Sequence, residues 1–429
     1  MSGALTGIRI LDCTEIIAAP YAAALLSDMG ADVIKIEPVG GEPWRLQAQF
    51  QPLESRSFLA LNRGKKGIAL DLRDPRGQAI IHSLVETADV LLLNYRPDTP
   101  AKLGIDYETV SAINPRIVYV WNTAFGRKGP HARRPGYDII IQAYSGLMTS
   151  MGGERNGLPT TMPTAFADFS SALVLTWAIT AGLFARERTG KGQLVDTSLL
   201  ATALTMQPNR YFAINNLDRE KRAHLREAIA EARRESQSYP ELTELVRLAR
   251  LGRQAAAESS GNIYYRTYQT QDGFIAIGCL SAALREKFCG AMGIVDPRRR
   301  DGPEAALAAG EAREIGRQLV ATVEESFRQK PTEAWLAYLD RCGVPSGPVL
   351  FAEELWDDEQ VLANDLLINV EHATLGNLEM VGPPVQMSET PSQVQSAPPV
   401  LGADTDAILA TLGYDAARIE SLRQDSVIR

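Results

Sequence analysis

Four residues in the 429-residue chain are cysteine, Cys13, Cys279, Cys289 and Cys342, and no two of them form a C-x-x-C pair. The four histidines, His82, His131, His224 and His372, are scattered, and no Cys/His cluster has zinc-site spacing. Neither a metal centre nor a disulfide framework is expected, and a reduced, cytoplasmic setting is the simple reading. After the first apolar run the chain reads DCTEIIAAP, with no G-x-G-x-x-G, and neither a Walker A loop nor G-x-S-x-G occurs. A permanently bound dinucleotide, P-loop chemistry and a serine-elbow hydrolase are therefore not expected. Excess positive charge is also missing: 44 Lys and Arg stand against 52 Asp and Glu, a net charge of -8, which speaks against a nucleic-acid partner. The opening MSGALTGIRILDCTE has no basic stretch followed by a long apolar core, so a signal peptide is not expected there. Residues 169–185 carry no charge, but their Ser, Thr and Gly content favours a buried core helix over a membrane span.

What is present is an alternation of strand and helix patterns. GIRILD (7–12) fits a buried strand, AAPYAAALLSDMG (18–30) a helix with Pro near its start and Gly at its end, and ADVIKIE (31–37) a second strand. GIALDL (67–72), a helix over 75–87, ADVLLLN (88–94) and RIVYVW (116–121) extend the pattern. Successive βαβ units predict an α/β fold, a Rossmann-like doubly wound large domain with a parallel sheet. Residues 217–260 are charged and helix-rich, and YYRTYQTQDGFIAIGC (264–279) reads as two strands turning at Asp272-Gly273. The expected organisation is a large domain begun by 1–200, a helical linker over 201–261, and a smaller α+β domain over 262–330. A return linker and the C-terminal part of the large domain follow over 331–429.

Two patches carry candidate chemistry. Lys65 and Lys66 stand just before one strand pattern, and Arg96 and Lys102 just after another. Loops at strand ends that carry Lys and Arg suit phosphate groups, although a Lys-Lys pair equally suits a solvated surface. The second patch is TMPTAFADFSSALVLTWAITAGLFA (161–185), whose one charged residue is Asp168. An Asp before an apolar run can cap a helix. A carboxylate in an apolar setting can also attack an activated acyl group. The residues alone leave both roles open.

The order of these blocks resembles the class III (family III) coenzyme A transferases, the formyl-CoA and carnitine-CoA transferase group. The blocks are LTGIRILDCTEIIAAPYAAALLSDMGADVIKIEPVGGEPWR, FLALNRGKKGIALDL, ADVLLLNYRPDTPAKLGIDYETVSAINPRIVYV, RPGYDIIIQAYSG, GVPSGPV and LGADTDAILATLGY. The resemblance implies an interlocked homodimer and, as substrates, an acyl-CoA thioester and a carboxylic acid. It implies that Asp168 is the catalytic aspartate, passing through aspartyl anhydride and aspartyl-CoA intermediates. It also implies CoA contacts from Lys65, Lys66, Arg96 and Lys102 to phosphates, Leu72, Asn94 and Tyr95 to the adenine side, and Ile16 and Ala18 to the pantetheine arm.

Two related activities share the fold. A 2-methylacyl-CoA racemase or epimerase needs a His that family racemases carry in a G-H-D block; this chain has Gly136-Tyr137-Asp138, leaving Tyr137 and Asp138 as candidate substrate-side residues. An intramolecular CoA isomerase would use the same Asp168. From another class, a non-catalytic CoA-binding dimer would keep the phosphate site and lose the aspartate.

Overall fold

The computed structural model describes residues 3–299 and 309–429, and for 251–260, 299 and 309 the backbone alone. The chain divides into two compact units, one made of 1–212 with 359–429 and the other of 213–358. The expected linker segment thus falls mainly with the second unit. The expected small domain of 262–330 includes 300–308, which lie outside the described residues.

The first unit is built on six strands: β1 (Arg9–Cys13), β2 (Asp32–Glu37), β3 (Lys65–Ala69), β4 (Val90–Leu93), β5 (Val118–Thr123) and β6 (Gln193–Ser198). They lie in the order β3-β2-β1-β4-β5-β6, every neighbouring pair parallel. This is the doubly wound order that the βαβ pattern predicts. Its order reverses between β1 and β4, where a crevice opens at the carboxyl ends of the strands. Strand alternation sends Leu11, Ile34, Ile36, Leu91 and Tyr119 to one core layer and Ile10, Val33, Leu92, Val118 and Val120 to the other. Each such fully buried side chain contributes about 1.5–3 kcal/mol relative to exposure.

Two helices of the second layer bring the candidate site to the crevice. The helix Ala18–Asp28 stops where Gly30 takes a φ of +99°. The long helix Phe166–Thr189 ends at Gly190, at φ +72°. Gly182 lets this helix approach the sheet: a Cβ there would stand 2.8 Å from Val118 Cγ1. Ala172, Leu175, Ile179 and Leu183 face the sheet, but Leu173, Trp177 and Phe184 on the opposite side are exposed. The helix is therefore not the wholly buried one its composition predicts. Its length and apolarity would let it cross a membrane, but they arise from two apolar faces, of which one covers the sheet.

The second unit holds an antiparallel sheet of Ser346–Pro348, Phe274–Gly278 and Tyr265–Gln269, in that order. Its central hairpin turns at Asp272-Gly273 as the sequence predicts, with Thr270 N–H donating to Gly273 O at 2.9 Å. Phe288, Phe327, Trp335 and Tyr268 fill its core.

Candidate active site

Asp168 is the third residue of the long helix and is 8% exposed. It is not the helix cap. The capping position is Ala165, whose side chain cannot accept a hydrogen bond. The cap comes from another helix, Asp138–Tyr144: Asp138 Oδ1 accepts the backbone N–H of Ala167 at 2.8 Å and of Asp168 at 3.2 Å. Asp138 Oδ2 accepts from Gln142 Nε2, and Gln142 Oε1 accepts Met162 N–H at 3.0 Å. The buried Gln142 and the half-buried Asp138 thereby hold the loop before the long helix as well as its first turn. Both Asp138 oxygens, expected on the substrate side, accept hydrogen bonds within the protein. Tyr137, by contrast, is 64% exposed.

No hydrogen bond or ion pair reaches the Asp168 carboxylate among the described residues. Burial, and then the negative charge of Asp138, push its pKa from 3.8 up to about 7. The isolation of this residue in the sequence corresponds to an isolated, part-protonated carboxyl at a helix N-terminus. Such a group is poised to ionise near neutrality, which suits a nucleophile or a base.

The first turn of the helix Ala18–Asp28 packs beside this site, the Tyr21 ring meeting Phe169 edge-on at 5.6 Å. Ala18 is buried in a cluster with Ala167 and Ile141. The loop leading into that helix crosses the crevice, where Glu15 N–H donates to Asn94 Oδ1 at 3.1 Å and Asn94 Nδ2 donates to Glu15 O at 2.8 Å. Ile16 sits at φ +75°. Tyr95 packs its ring on the core, and its carbonyl accepts from Trp121 Nε1 at 2.8 Å. Burial raises the Tyr95 phenol well above its usual range.

The four cations expected on one phosphate face are not brought together. Both lysines lie inside β3 at its amino end, and strand alternation sends them to opposite sides. Lys65 is buried, and its Nζ donates to Asp12 Oδ2 and Asn62 Oδ1 at 2.7 Å and to Pro20 O at 2.8 Å. Its three donors are spent inside the protein, and burial draws its pKa down to about 8. Lys66 is exposed and pairs with Asp32 Oδ1 at 2.6 Å, beside the Arg9–Asp32 pair. That places it at the amino end of the sheet, opposite the crevice. Arg96 and Lys102 are exposed beyond the carboxyl end of β4, Lys102 paired with Asp98 at 2.8 Å. Leu72 is a core residue rather than a surface one.

The sequence reading missed a buried charge cluster beneath the crevice loop. Lys35 Nζ lies 3.0 Å from Glu42 Oε1 and donates to Thr14 O at 2.9 Å. Arg45 meets both carboxylate oxygens of Glu37, at 2.7 and 2.9 Å, and its guanidinium lies 3.5 Å from the Phe58 ring centroid. The available signal was Lys35 and Glu37 at alternate positions of the otherwise apolar run VIKIE.

Comparison with known proteins decides the family. The family model of CoA-transferase family III matches residues 5–240 and 237–405. The chain belongs to the family III CoA-transferases. Succinyl-CoA:glutarate CoA-transferase of Homo sapiens is 32% identical over 429 residues, covering 99% of this chain and 90% of that protein. Formyl-CoA:oxalate CoA-transferase of Bradyrhizobium diazoefficiens is 29% identical over 438 residues, covering 100% of this chain and 98% of that protein. Among solved structures, a CAIB/BAIF family protein from Brucella suis is 27% identical with a TM-score of 0.70, covering 96% of this chain and 100% of that one. This CoA-transferase thus shares its fold and near-full length with these relatives.

Proposed function

We propose that this family III CoA-transferase moves CoA from an acyl-CoA to a carboxylic acid through covalent intermediates on Asp168. The observation that carries the reading is the single carboxyl on the first turn of the long helix, buried, without a hydrogen-bond donor, and facing the charge of Asp138. When ionised, it attacks the thioester carbonyl; the C–S bond breaks, CoA leaves as thiolate and a mixed anhydride forms. The thiolate then attacks the Asp168 carbonyl, releasing the donor acid and leaving aspartyl-CoA. The acceptor carboxylate attacks that thioester, expels the thiolate and forms a second anhydride. Attack of the thiolate on the acceptor's carbonyl yields the new acyl-CoA and restores Asp168. The apolar surroundings limit hydrolysis of the anhydrides.

The CoA face is read at the carboxyl ends of β1 and β4, with Ile16 and Ala18 flanking the pantetheine arm and Asn94, Tyr95, Arg96 and Lys102 toward the nucleotide. A cavity of about 380 Å³ lies beside this segment, with Pro97, Pro100, Trp121, Arg127 and Arg133 in its wall. Tyr107 and Trp121 in this wall suit a base, and Arg127 and Arg133, which share the wall with the acidic Asp106 and Glu108, suit its phosphates. The exposed Leu173, Trp177 and Phe184 face supports a homodimer in which a second copy covers it. The rival racemase reading is disfavoured by Tyr137, which stands where family racemases carry a His: a phenol lacks the basic ring nitrogen that would take an α-proton.

The test is chemical trapping. Enzyme incubated with acyl-CoA and quenched with hydroxylamine should carry a hydroxamate on the peptide containing Asp168. A hydroxamate on a different residue, or none, rejects the reading.

A further inference from the structure

The motif VGGEPWR contributes a buried carboxylate that the reaction as read above does not use. Glu42 Oε2 accepts the backbone N–H of Ile16 at 2.8 Å, and its other oxygen stands 3.0 Å from Lys35 Nζ. Both side chains are completely buried. Ile16 is β-branched and holds a φ of +75°, a left-handed conformation that its Cβ substituents oppose. Strain of this kind costs about 1–3 kcal/mol and persists only where the surroundings over-determine it.

The surroundings here do so residue by residue. Thr14 N–H donates to Asp12 Oδ1 at 3.1 Å, and Thr14 O accepts from Lys35 at 2.9 Å. Glu15 gives its N–H to Asn94 and takes an N–H from it. Ile16 N–H goes to Glu42. Glu42 is fixed in turn: its own N–H donates to Glu37 Oε2 at 3.2 Å, and Glu37 is held by Arg45. Two residues after Ile16 the chain enters the helix Ala18–Asp28, whose Tyr21 meets Phe169, the residue after Asp168. The strained turn thus sets the course of the chain into the helix packed on the nucleophile's own first turn.

We infer that Glu42 is a positioning residue, whose carboxylate with Lys35 clamps the crevice turn at Ile16 so that the thioester is aligned with Asp168. The inference rests on the covalent reading of Asp168. It assigns a task to a strained backbone and a buried ion pair that a binding surface alone would not require.

The test is a coupling measurement. Glu42→Gln keeps an oxygen for Ile16 N–H and removes the charge that pairs with Lys35, so it is the variant expected to fold. Ile16→Gly removes the cause of strain, because glycine adopts a positive φ freely. The measured quantity is the rate of Asp168 labelling at saturating acyl-CoA, normalised to folded protein. Glu42→Gln is expected to slow labelling about tenfold, equivalent to about 1.4 kcal/mol, with little change in KM. Adding Ile16→Gly is expected to restore a large part of that loss, a non-additivity that unconnected residues would not give. Normal labelling in Glu42→Gln, a change confined to KM, or strict additivity of the two substitutions would overturn the clamp. Absence of label in the wild-type enzyme would instead overturn the covalent reading beneath it.

Discussion

Asp138 Oδ1 accepts the backbone N–H of Asp168 at 3.2 Å while its charge raises the pKa of the Asp168 side chain. One carboxylate therefore both supplies the helix cap and makes its neighbour harder to ionise. The two effects can be separated. Asp138→Asn keeps an acceptor oxygen but loses the charge, so the Asp168 pKa should fall and the acid limb of the acylation rate should move to lower pH. Asp138→Ala should show the same movement, a loss of about 1 kcal/mol of stability from the missing cap, and a lower kcat. Pre-steady-state acylation across pH, with thermal denaturation alongside, checks both.

The pH dependence of the wild-type enzyme follows from the same carboxyl. Attack requires the ionised form, so kcat/KM for the donor thioester should rise with pH through about 7 and then level off. A profile flat from pH 5 to 8 would mean that Asp168 does not ionise in the step that limits this rate.

Stability has the opposite sign. The folded-state pKa of about 7 exceeds the ordinary 3.8, so the folded chain binds this proton more tightly than the unfolded chain does. A cost of keeping Asp168 charged and buried therefore develops above about pH 4 and is complete above about pH 7. Asp168→Asn avoids it, since the cap belongs to Asp138. The variant should match wild type near pH 4 and become progressively more stable toward pH 8. The ceiling is about 4 kcal/mol, at about 1.36 kcal/mol for each tenfold change in proton affinity. Denaturant titrations at the two pH values measure the difference.

The lysines and arginine of the expected phosphate face should behave in three ways. Lys65→Ala breaks a buried pair with Asp12 and should cost about 3–5 kcal/mol of stability. Lys66→Ala removes an exposed pair with Asp32 and should change stability by less than about 1 kcal/mol, with little effect on KM. Arg96→Ala and Lys102→Ala should raise KM for acyl-CoA more than they lower kcat. Melting curves and steady-state kinetics on the four variants distinguish these patterns.

The differing fates of these residues mark how far the sequence could be read. The parallel sheet was legible because GIRILD, ADVIKIE and ADVLLLN are apolar strands punctuated by Gly and Pro, and each lies where its pattern puts it. The isolation of the Asp168 carboxyl was legible because its run contains no other charge. That Lys65 and Lys66 part was not legible, because adjacency in sequence is opposition in a strand and the first of them has Asp12 as its partner, 53 positions away. The cap from Asp138 is likewise made across 30 residues, and no local motif encodes it. The strain at Ile16 is a backbone property that an isoleucine does not advertise.

The outward face of the long helix offers a test of assembly. Trp177 is 70% exposed in the single chain, and Leu173 and Phe184 lie exposed on the same side. If a second copy covers them, Trp177→Glu should shift the mass measured by light scattering from dimer to monomer. A wild-type chain that is already monomeric would reject the dimer.

If CoA transfer runs through covalent intermediates on Asp168, oxygen passes through its carboxylate at each turnover. The most direct measurement follows one turnover of preformed aspartyl-CoA enzyme with an acceptor acid carrying a heavy oxygen isotope in its carboxylate. The acceptor's attack on the aspartyl carbonyl, followed by thiolate attack on the acceptor's own carbonyl, leaves one acceptor oxygen on Asp168. Mass spectrometry should therefore find the peptide containing Asp168 heavier by one isotopic substitution, and product acyl-CoA retaining the other labelled oxygen. An unlabelled Asp168 peptide, with both heavy oxygens accounted for elsewhere, would contradict the account.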